Sequence, residues 1–523
     1  MKRIFLNNNE NEDVRGDVFE LEYEDLNILV DDNDLSFFAD TDPRPFSMLQ
    51  SRVRNAVSSL LRNRMAKTLC VCGSTRVNTI EILSEIVQKE CGQEPIIAYA
   101  PTRFEFFGNE NENGVMSSEG VVIIPASLLL DHPKWLNPVD ACLAQNSKIK
   151  LIICGDALDC AELTRIWPAL DNGLRSDIVM EFNSSSGLSI LGGLLKDYVN
   201  KYQLSDFSQE AVKYFFNYCC RQSGDRRWIY IPELKLRELA LESHNYAKGE
   251  SIEGRHVLKA LVGENYRVNY LAESELRNYR DEQILLETEG EVVGQINGLS
   301  VIESVGSSYE YGTPVRITAT LRAGGDGDVI DIEHKAELAG QIHAKAMMII
   351  NGFLANEFGS AQPMPVSASL VFEQSYSEID GDSASLTGLC AVISALSNLP
   401  IKQDLAVTGA VDQFGDVQSV GGINEKIEGF YRICRLRGLN GRQGVVIPLS
   451  CICQLVLKPA VMKAVRDGNF HIYAVDHVEG ACRILMNAKW DSEDSSICDI
   501  IWQRLEEIQG GKNKAPWWKF FKG

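Results

Sequence analysis

The chain has 523 residues, 45% of them hydrophobic, which is enough for roughly two to four domains with ample cores. Its formal charge of −21 argues against duplex nucleic acid as a main partner, because phosphate binding relies on clustered Lys and Arg. The 14 cysteines include no Cys-x-x-Cys pair with zinc spacing, the N-terminus lacks the apolar stretch of a signal peptide, and no apolar run could span a membrane; a soluble cytoplasmic protein with reduced thiols and no metal is expected.

Residues 1–45 are acidic and asparagine-rich, and the apolar pieces Val18-Phe19 and Phe37-Phe38 predict an arm that docks rather than a wholly disordered tail. Residues 46–204 alternate helix and strand, with strands expected at 69–72, 96–99, 121–124, 150–154 and 178–182; this alternation predicts a parallel α/β sheet. Residues 205–285 read as helical, around 209–216, 232–241 and 256–261. From about 286 to 490 the pattern becomes α+β. A helix is expected over 336–353, flanked by His334 and His343, with Leu338, Ile342, Ile349 and Phe353 as its core stripe. Strands are expected at 367–373, 405–411 and 417–420. Residues 491–523 supply a C-terminal helix and the tail Pro516-Trp-Trp-Lys-Phe-Phe-Lys522, whose aromatic-basic mixture suits a membrane surface, a partner groove or the protein's own acidic body.

Two short segments carry the chemistry. In Asp380-Gly381-Asp382-Ser383-Ala384-Ser385 a hydroxyl sits in a tight acidic turn ahead of a helical pattern with Leu386, Leu389, Val392, Ile393 and Leu396 on one side. Ser383 would then lie at a helix N-terminus, where free N–H groups can hold a developing oxyanion, and Gly381 would let a substrate backbone come close. Capping of the helix by Asp382 or Ser383 is the commoner use of such residues. In Gly421-Gly422-Ile423-Asn424-Glu425-Lys426 a lysine enters the first turn of a second helix. The positive end of the helix dipole and partial burial both push such an amine toward its neutral form, which a general base requires. An exposed lysine is the ordinary alternative, and the pairing of the two segments changes the odds.

These residues resemble the Lon (protease La) family, whose proteolytic domain uses a Ser–Lys dyad with an acidic-Gly-x-Ser-Ala turn ahead of a Gly-Gly-x-x-x-Lys turn at this separation. The segment 289–301 is similar to the opening of that domain, and Ile379-Asp-Gly-Asp-Ser-Ala-Ser385 to the version with an acid directly before the serine. The resemblance implies Ser383 as nucleophile and Lys426 as general base and acid. It further implies Thr408 as a residue positioning the lysine, and Asp380 and Asp382 as groups orienting the lysine or the substrate backbone. It also implies protein substrates, assembly into rings of six, and an ATP-driven AAA+ module before the protease. On this basis the chain is expected to hold an acidic arm (1–45), a degenerate AAA+-like α/β domain (46–204), a helical lid (205–285), a Lon α+β proteolytic domain (286–490) and a C-terminal helix and tail (491–523).

The family's ATP and Mg²⁺ find no recognisable motif. Gly73-Ser-Thr-Arg-Val-Asn-Thr79 stands where a phosphate loop would, but the Gly-Lys pair that binds phosphate is missing. The strand 121–124 runs into Pro125-Ala126-Ser127 rather than metal-binding carboxylates. Asp156 suits a later sensor strand, and Arg226-Arg227 surface or interface contacts. The expected function is therefore a serine endopeptidase acting without nucleotide. The alternatives are a non-catalytic scaffold of the same fold or a chaperone-like module that grips clients.

Overall fold

The computed structural model describes residues 16–27, 30, 33–109, 111–303, 309–359, 363–375, 378–491 and 496–510. The chain divides into two units, one of residues 30–223 with 227–263 and one of residues 1–29 and 224–226 with 264–523. The aromatic-basic tail lies outside the described residues.

The first unit is built on a five-stranded parallel sheet in the order Ile96–Ile97, Gly120–Pro125, Ile149–Gly155, Thr68–Cys72 and Leu174–Asp177. Its central strands are buried without alternation, as at Val121–Ile124 and Leu151–Ile153, because helices cover both faces of a parallel sheet. The strand expected at 178–182 is a correction. The sheet's fifth strand is Leu174–Asp177, an edge strand in which half-buried and exposed residues alternate, while Glu181–Asn183 leaves the sheet and pairs antiparallel with Trp228–Tyr230. An edge strand needs no apolar run, so the apolar Ile178-Val-Met pointed to the wrong segment. The helical stretch is present with longer helices, including Gln209–Ser223 and Glu233–Ala247.

The second unit holds a seven-stranded mixed sheet in the order Val18–Glu20, His471–Val475, Gly444–Pro448, Leu405–Val407, Gln295–Glu303, Glu310–Asp331 and Val366–Phe372. The part of the arm around Val18 therefore docks by strand pairing, Val18 opposite Val475. The four strands from His471–Val475 to Gln295–Glu303 run parallel, and the remaining three join antiparallel. Alternate residues of the central strands divide between two cores, as the period of two requires. Leu405, Val407 and Val446 face a core with the helices Gln341–Phe358 and Ser385–Ser397. Ala406, Val445 and Ile447 face a core with the helix Ile423–Arg437. The helix expected over 336–353 is broken: Ile332–Lys335 forms one turn, and a new helix starts at Gln341. Glu337 has φ 59°, which ends the first turn, and Ala339 and Ile379 form a β-bridge in the gap.

Candidate active site

Two helices on opposite faces of one sheet meet at the end of the strand Leu405–Val407. The Ser385–Ser397 helix brings the turn with Ser383, and the Ile423–Arg437 helix brings Lys426 on its first turn. Thr408 follows the strand directly, with its N–H donating to the Val446 carbonyl at 3.1 Å. Its hydroxyl joins the two sides: Oγ1 donates to the Ser383 carbonyl at 3.2 Å and accepts from Lys426 Nζ at 3.2 Å. Reciprocal backbone bonds fix the serine turn to the same strand end, Gly409 N–H to the Ser383 carbonyl at 2.9 Å and Leu386 N–H to the Gly409 carbonyl at 3.1 Å. Ser385 Oγ also accepts the Val411 N–H, at 3.0 Å.

Lys426 is only 3% exposed. Burial pushes its amine down from 10.5 to about 8, against the weaker opposing pull of Cys451 and Asp382, which favour the charged form. The desolvation expected from the sequence thus outweighs the nearby acid. Gly422 precedes the lysine helix at φ 65°, a left-handed conformation that suits glycine, and its carbonyl accepts the Lys426 N–H at 2.9 Å.

The acidic turn separates its members. Asp382 is exposed and acts electrostatically on Lys426. Asp380 turns elsewhere: its Oδ1 accepts the N–H groups of Gly381, Ile342 and His343. Gly381 has φ 109°, and because its N–H is spent on Asp380 it is not an oxyanion donor. Among the described residues the N–H groups of Asp382, Ser383 and Ala384 keep no partner within the chain, so the turn's free donors lie one to three positions later. Cys451 was not singled out for this site from the sequence. Its thiol accepts the Val420 N–H at 3.4 Å, just ahead of the Gly421-Gly422 turn.

The loop 73–79 connects the strand Thr68–Cys72 to the helix Thr79–Cys91, as its sequence suggested. Four of its donors are bonded: Gly73 N–H goes to the Gly155 carbonyl, Arg76 N–H to Ser74 Oγ, Val77 N–H to the Ser74 carbonyl and Thr79 N–H to the Val77 carbonyl, while those of Ser74, Thr75 and Asn78 keep no partner among the described residues. Asn78 Oδ1 takes the Glu81 N–H. A phosphate loop needs those groups aimed at the ligand together with a lysine. The residues present do not fit a nucleoside triphosphate. Beside this loop a small cleft open to solvent is lined by Glu81, Glu85, Lys201 and Glu233, among others. Lys201 Nζ pairs there with Glu81 at 2.6 Å and Glu85 at 2.7 Å, and Arg237 with Glu81 at 3.3 Å. Asp156 caps the helix Ala157–Ile166, and Arg226 is buried and donates to the Asp25 carbonyl. His334 is exposed, and His343 is buried at 3.2 Å from Asp331. Among the described residues no group of three or more His, Cys, Asp or Glu is placed to hold a metal ion, and all fourteen cysteines are free.

Residues 375–450, which contain Ser383, Thr408 and Lys426, match the Lon protease (S16) C-terminal proteolytic domain. Similar proteins include Lon protease homologues from Escherichia coli strain K12, 46% identical over 301 residues, and Haemophilus influenzae, 42% identical over 319 residues. These matches make the chain similar to Lon proteases, with the proteolytic-domain match confined to residues 375–450. The Escherichia coli match covers 57% of this chain and 51% of that protein, and the Haemophilus influenzae match 60% and 53%. The archaeal Lon protease of Thermococcus kodakarensis is 26% identical over 312 residues, which are 58% of this chain and 44% of that protein. The chain therefore spans about half the length of the curated relatives it matches. No helix among the described residues is long and apolar enough to cross a membrane.

Proposed function

We propose that the chain is a serine endopeptidase that hydrolyses peptide bonds of unfolded or extended proteins, with Ser383 as nucleophile and Lys426 as general base. The observation that carries this reading is the Thr408 hydroxyl, which bonds the Ser383 carbonyl and the buried Lys426 amine at once. An amine with a value near 8 is partly neutral at physiological pH and can take a proton that an ordinary lysine cannot.

In the first step Ser383 Oγ attacks the scissile carbonyl carbon while its proton passes to Lys426 Nζ. The tetrahedral oxyanion is held by N–H groups of the serine turn. Collapse breaks the C–N bond, and the leaving amine takes the proton from Lys426, which leaves an acyl ester on Ser383. Water then attacks that ester, gives a proton to Lys426 and releases the new carboxyl end, and the proton returns to Ser383 Oγ. Thr408 holds the amine in line throughout, and Asp382 favours the charged lysine that forms in each half-reaction.

We read the parallel α/β unit as an AAA+-like scaffold that no longer works with ATP. Support comes from the loop 73–79, which lacks the phosphate-binding lysine and has four of its N–H groups bonded within the chain. No step of the proposed mechanism passes through a nucleotide.

The test is cleavage of casein or a quenched unfolded peptide by the wild type, Ser383→Ala and Lys426→Ala, without ATP. The wild type should cleave, and each variant should lose on the order of a thousandfold or more in kcat. Equal cleavage by all three would reject the dyad. A wild type that holds unfolded clients without cutting them would favour the chaperone-like alternative.

A further inference from the structure

We propose that Asp380 is a positioning residue whose carboxylate moors the Ser383 turn to the first turn of the Gln341–Phe358 helix. The proposal rests on Ser383 being the nucleophile and adds to it a second anchor, on the side of the turn away from Thr408.

The mooring is dense. Asp380 Oδ1 accepts three N–H groups: Gly381 at 2.9 Å, Ile342 at 3.1 Å and His343 at 3.3 Å. Two of these belong to a helix start that has no cap from its own neighbouring residue, since Gly340 stands at the N-cap position and carries no side chain. Gly340 is also the residue the geometry demands. A Cβ there would lie 2.3 Å from Asp380 Cγ, so a side chain would expel the carboxylate that replaces the missing cap. Backbone bonds flank the contact, with Gly340 N–H to the Ile379 carbonyl at 2.9 Å and Ile379 N–H to the Leu338 carbonyl at 2.8 Å.

A mooring holds only if its far end is rigid, and this helix end is packed from a second direction. The His343 side chain, 2% exposed, meets Asp331 Oδ2 at 3.2 Å. Asp331 Oδ1 in turn accepts the Glu333 N–H at 3.1 Å, and Glu333 Oε1 accepts the Phe372 N–H at 2.9 Å. Phe372 closes the strand Val366–Phe372 from which the chain runs on to the acidic turn. The turn is thus held on one side by Asp380 to a helix braced against its own incoming strand, and on the other by Gly409 and Thr408. Such bracing fixes Ser383 Oγ in attack geometry, where small displacements are expensive.

This role needs an acceptor oxygen and not a negative charge, which separates it from an electrostatic action on Lys426. The test compares Asp380→Ala and Asp380→Asn with the wild type and Ser383→Ala. It reads casein or peptide hydrolysis over pH 6–10 (roughly the span around a lysine near 8), together with amide hydrogen exchange of peptides covering 338–345 and 378–386. Asp380→Asn keeps an acceptor oxygen. It should stay within about threefold of wild-type kcat with an unmoved pH profile. Asp380→Ala should lose roughly tenfold or more in kcat with little change in KM, and its Ile342, His343 and Gly381 amides should exchange at least about tenfold faster. Exchange in Asp380→Ala equal to wild type overturns the mooring. So does an Asp380→Asn that loses as much kcat as Asp380→Ala and shifts the pH profile, since that would mark a charge effect. A wild type without Ser383-dependent hydrolysis would reject the peptidase reading instead, and the exchange measurement would still decide the mooring.

Discussion

Two connections in this chain are built alike: the loop 73–79 and the turn 380–384 each carry the backbone from a strand region into a helix N-terminus, with small and polar residues throughout. They differ in what their polar groups are left to do. In the loop, the Gly73, Arg76, Val77 and Thr79 N–H groups are bonded within the chain, and the neighbouring Lys201 and Arg237 are neutralised by Glu81 and Glu85. Burial pushes the Glu81 carboxyl up, yet Lys201 and Arg237 together hold it below its usual value. In the turn, the N–H groups of Asp382, Ser383 and Ala384 stay unspent among the described residues, and the nearby Lys426 meets burial with no close ion pair. Both connections leave N–H groups without a partner among the described residues, so the contrast lies in charge: the cations beside the loop are paired with carboxylates, whereas burial holds the Lys426 amine below its ordinary value.

Replacing Lys426 by Met gives the sharpest break of that contrast. A lysine whose folded-state value lies near 8, below its ordinary 10.5, costs the folded state stability while the pH is under about 8. That cost fades as the pH rises from about 8 through 10.5. Lys426→Met should therefore abolish hydrolysis while raising thermal stability at pH 7 by on the order of 1–3 kcal/mol, an advantage that shrinks toward pH 10. In the wild type, kcat/KM should climb about tenfold per pH unit below 8 and level off above it. Melting curves at several pH values and a pH–rate profile check both; a flat rate profile across pH 7–9 would remove Lys426 from the base role.

Thr408→Val tests the link between the two helices. Losing the hydroxyl frees Lys426 Nζ and the Ser383 carbonyl together, so kcat should fall roughly 10- to 100-fold with KM changed little, at a stability cost of about 1 kcal/mol. Steady-state kinetics beside a denaturant titration would show it. Unchanged kcat would mean that the hydroxyl ties the fold and not the reaction.

The smallest effect belongs to the first unit. Lys201→Met removes two ion pairs that are about a third exposed, so solvent screening limits the loss to roughly 1 kcal/mol, and proteolysis should not change. ATP with Mg²⁺ should leave the melting temperature of the wild type where it was. A nucleotide-dependent rise in melting temperature would erase the difference between the two connections.

Reading along the chain reached the central strands of the first unit's sheet, because buried parallel strands announce themselves as apolar runs such as Val121–Ile124 and Leu151–Cys154; of the second sheet's central strands it named only the one at Leu405–Val407, not those at Gly444–Pro448 and His471–Val475. It missed the edge strand Leu174–Asp177, whose polar, half-exposed residues carry no such signal. It also ran a helix through 336–340, where apolar spacing continues but the backbone turns at Glu337 and pairs with Ile379. The neighbourhood of Asp380 was legible only in part. The residue stood out as an acid beside the serine, but nothing in the spacing told that its partner would be a helix start about forty residues upstream. Cys451 was hidden for the same reason: it reaches Val420 across a tertiary contact.

By itself the sequence determined the local pieces: a serine in an acidic glycine turn ahead of one helix, a lysine in the first turn of another, and a glycine loop without its lysine. These are matters of neighbouring residues, periodicity and composition, which the linear chain carries directly. The tertiary structure alone decided that the two helices lie on opposite faces of one sheet and meet at Thr408. It also decided how deeply Lys426 is buried and which way each aspartate faces. Those outcomes depend on strand order and on how much water packing removes, and both arise only when distant segments come together.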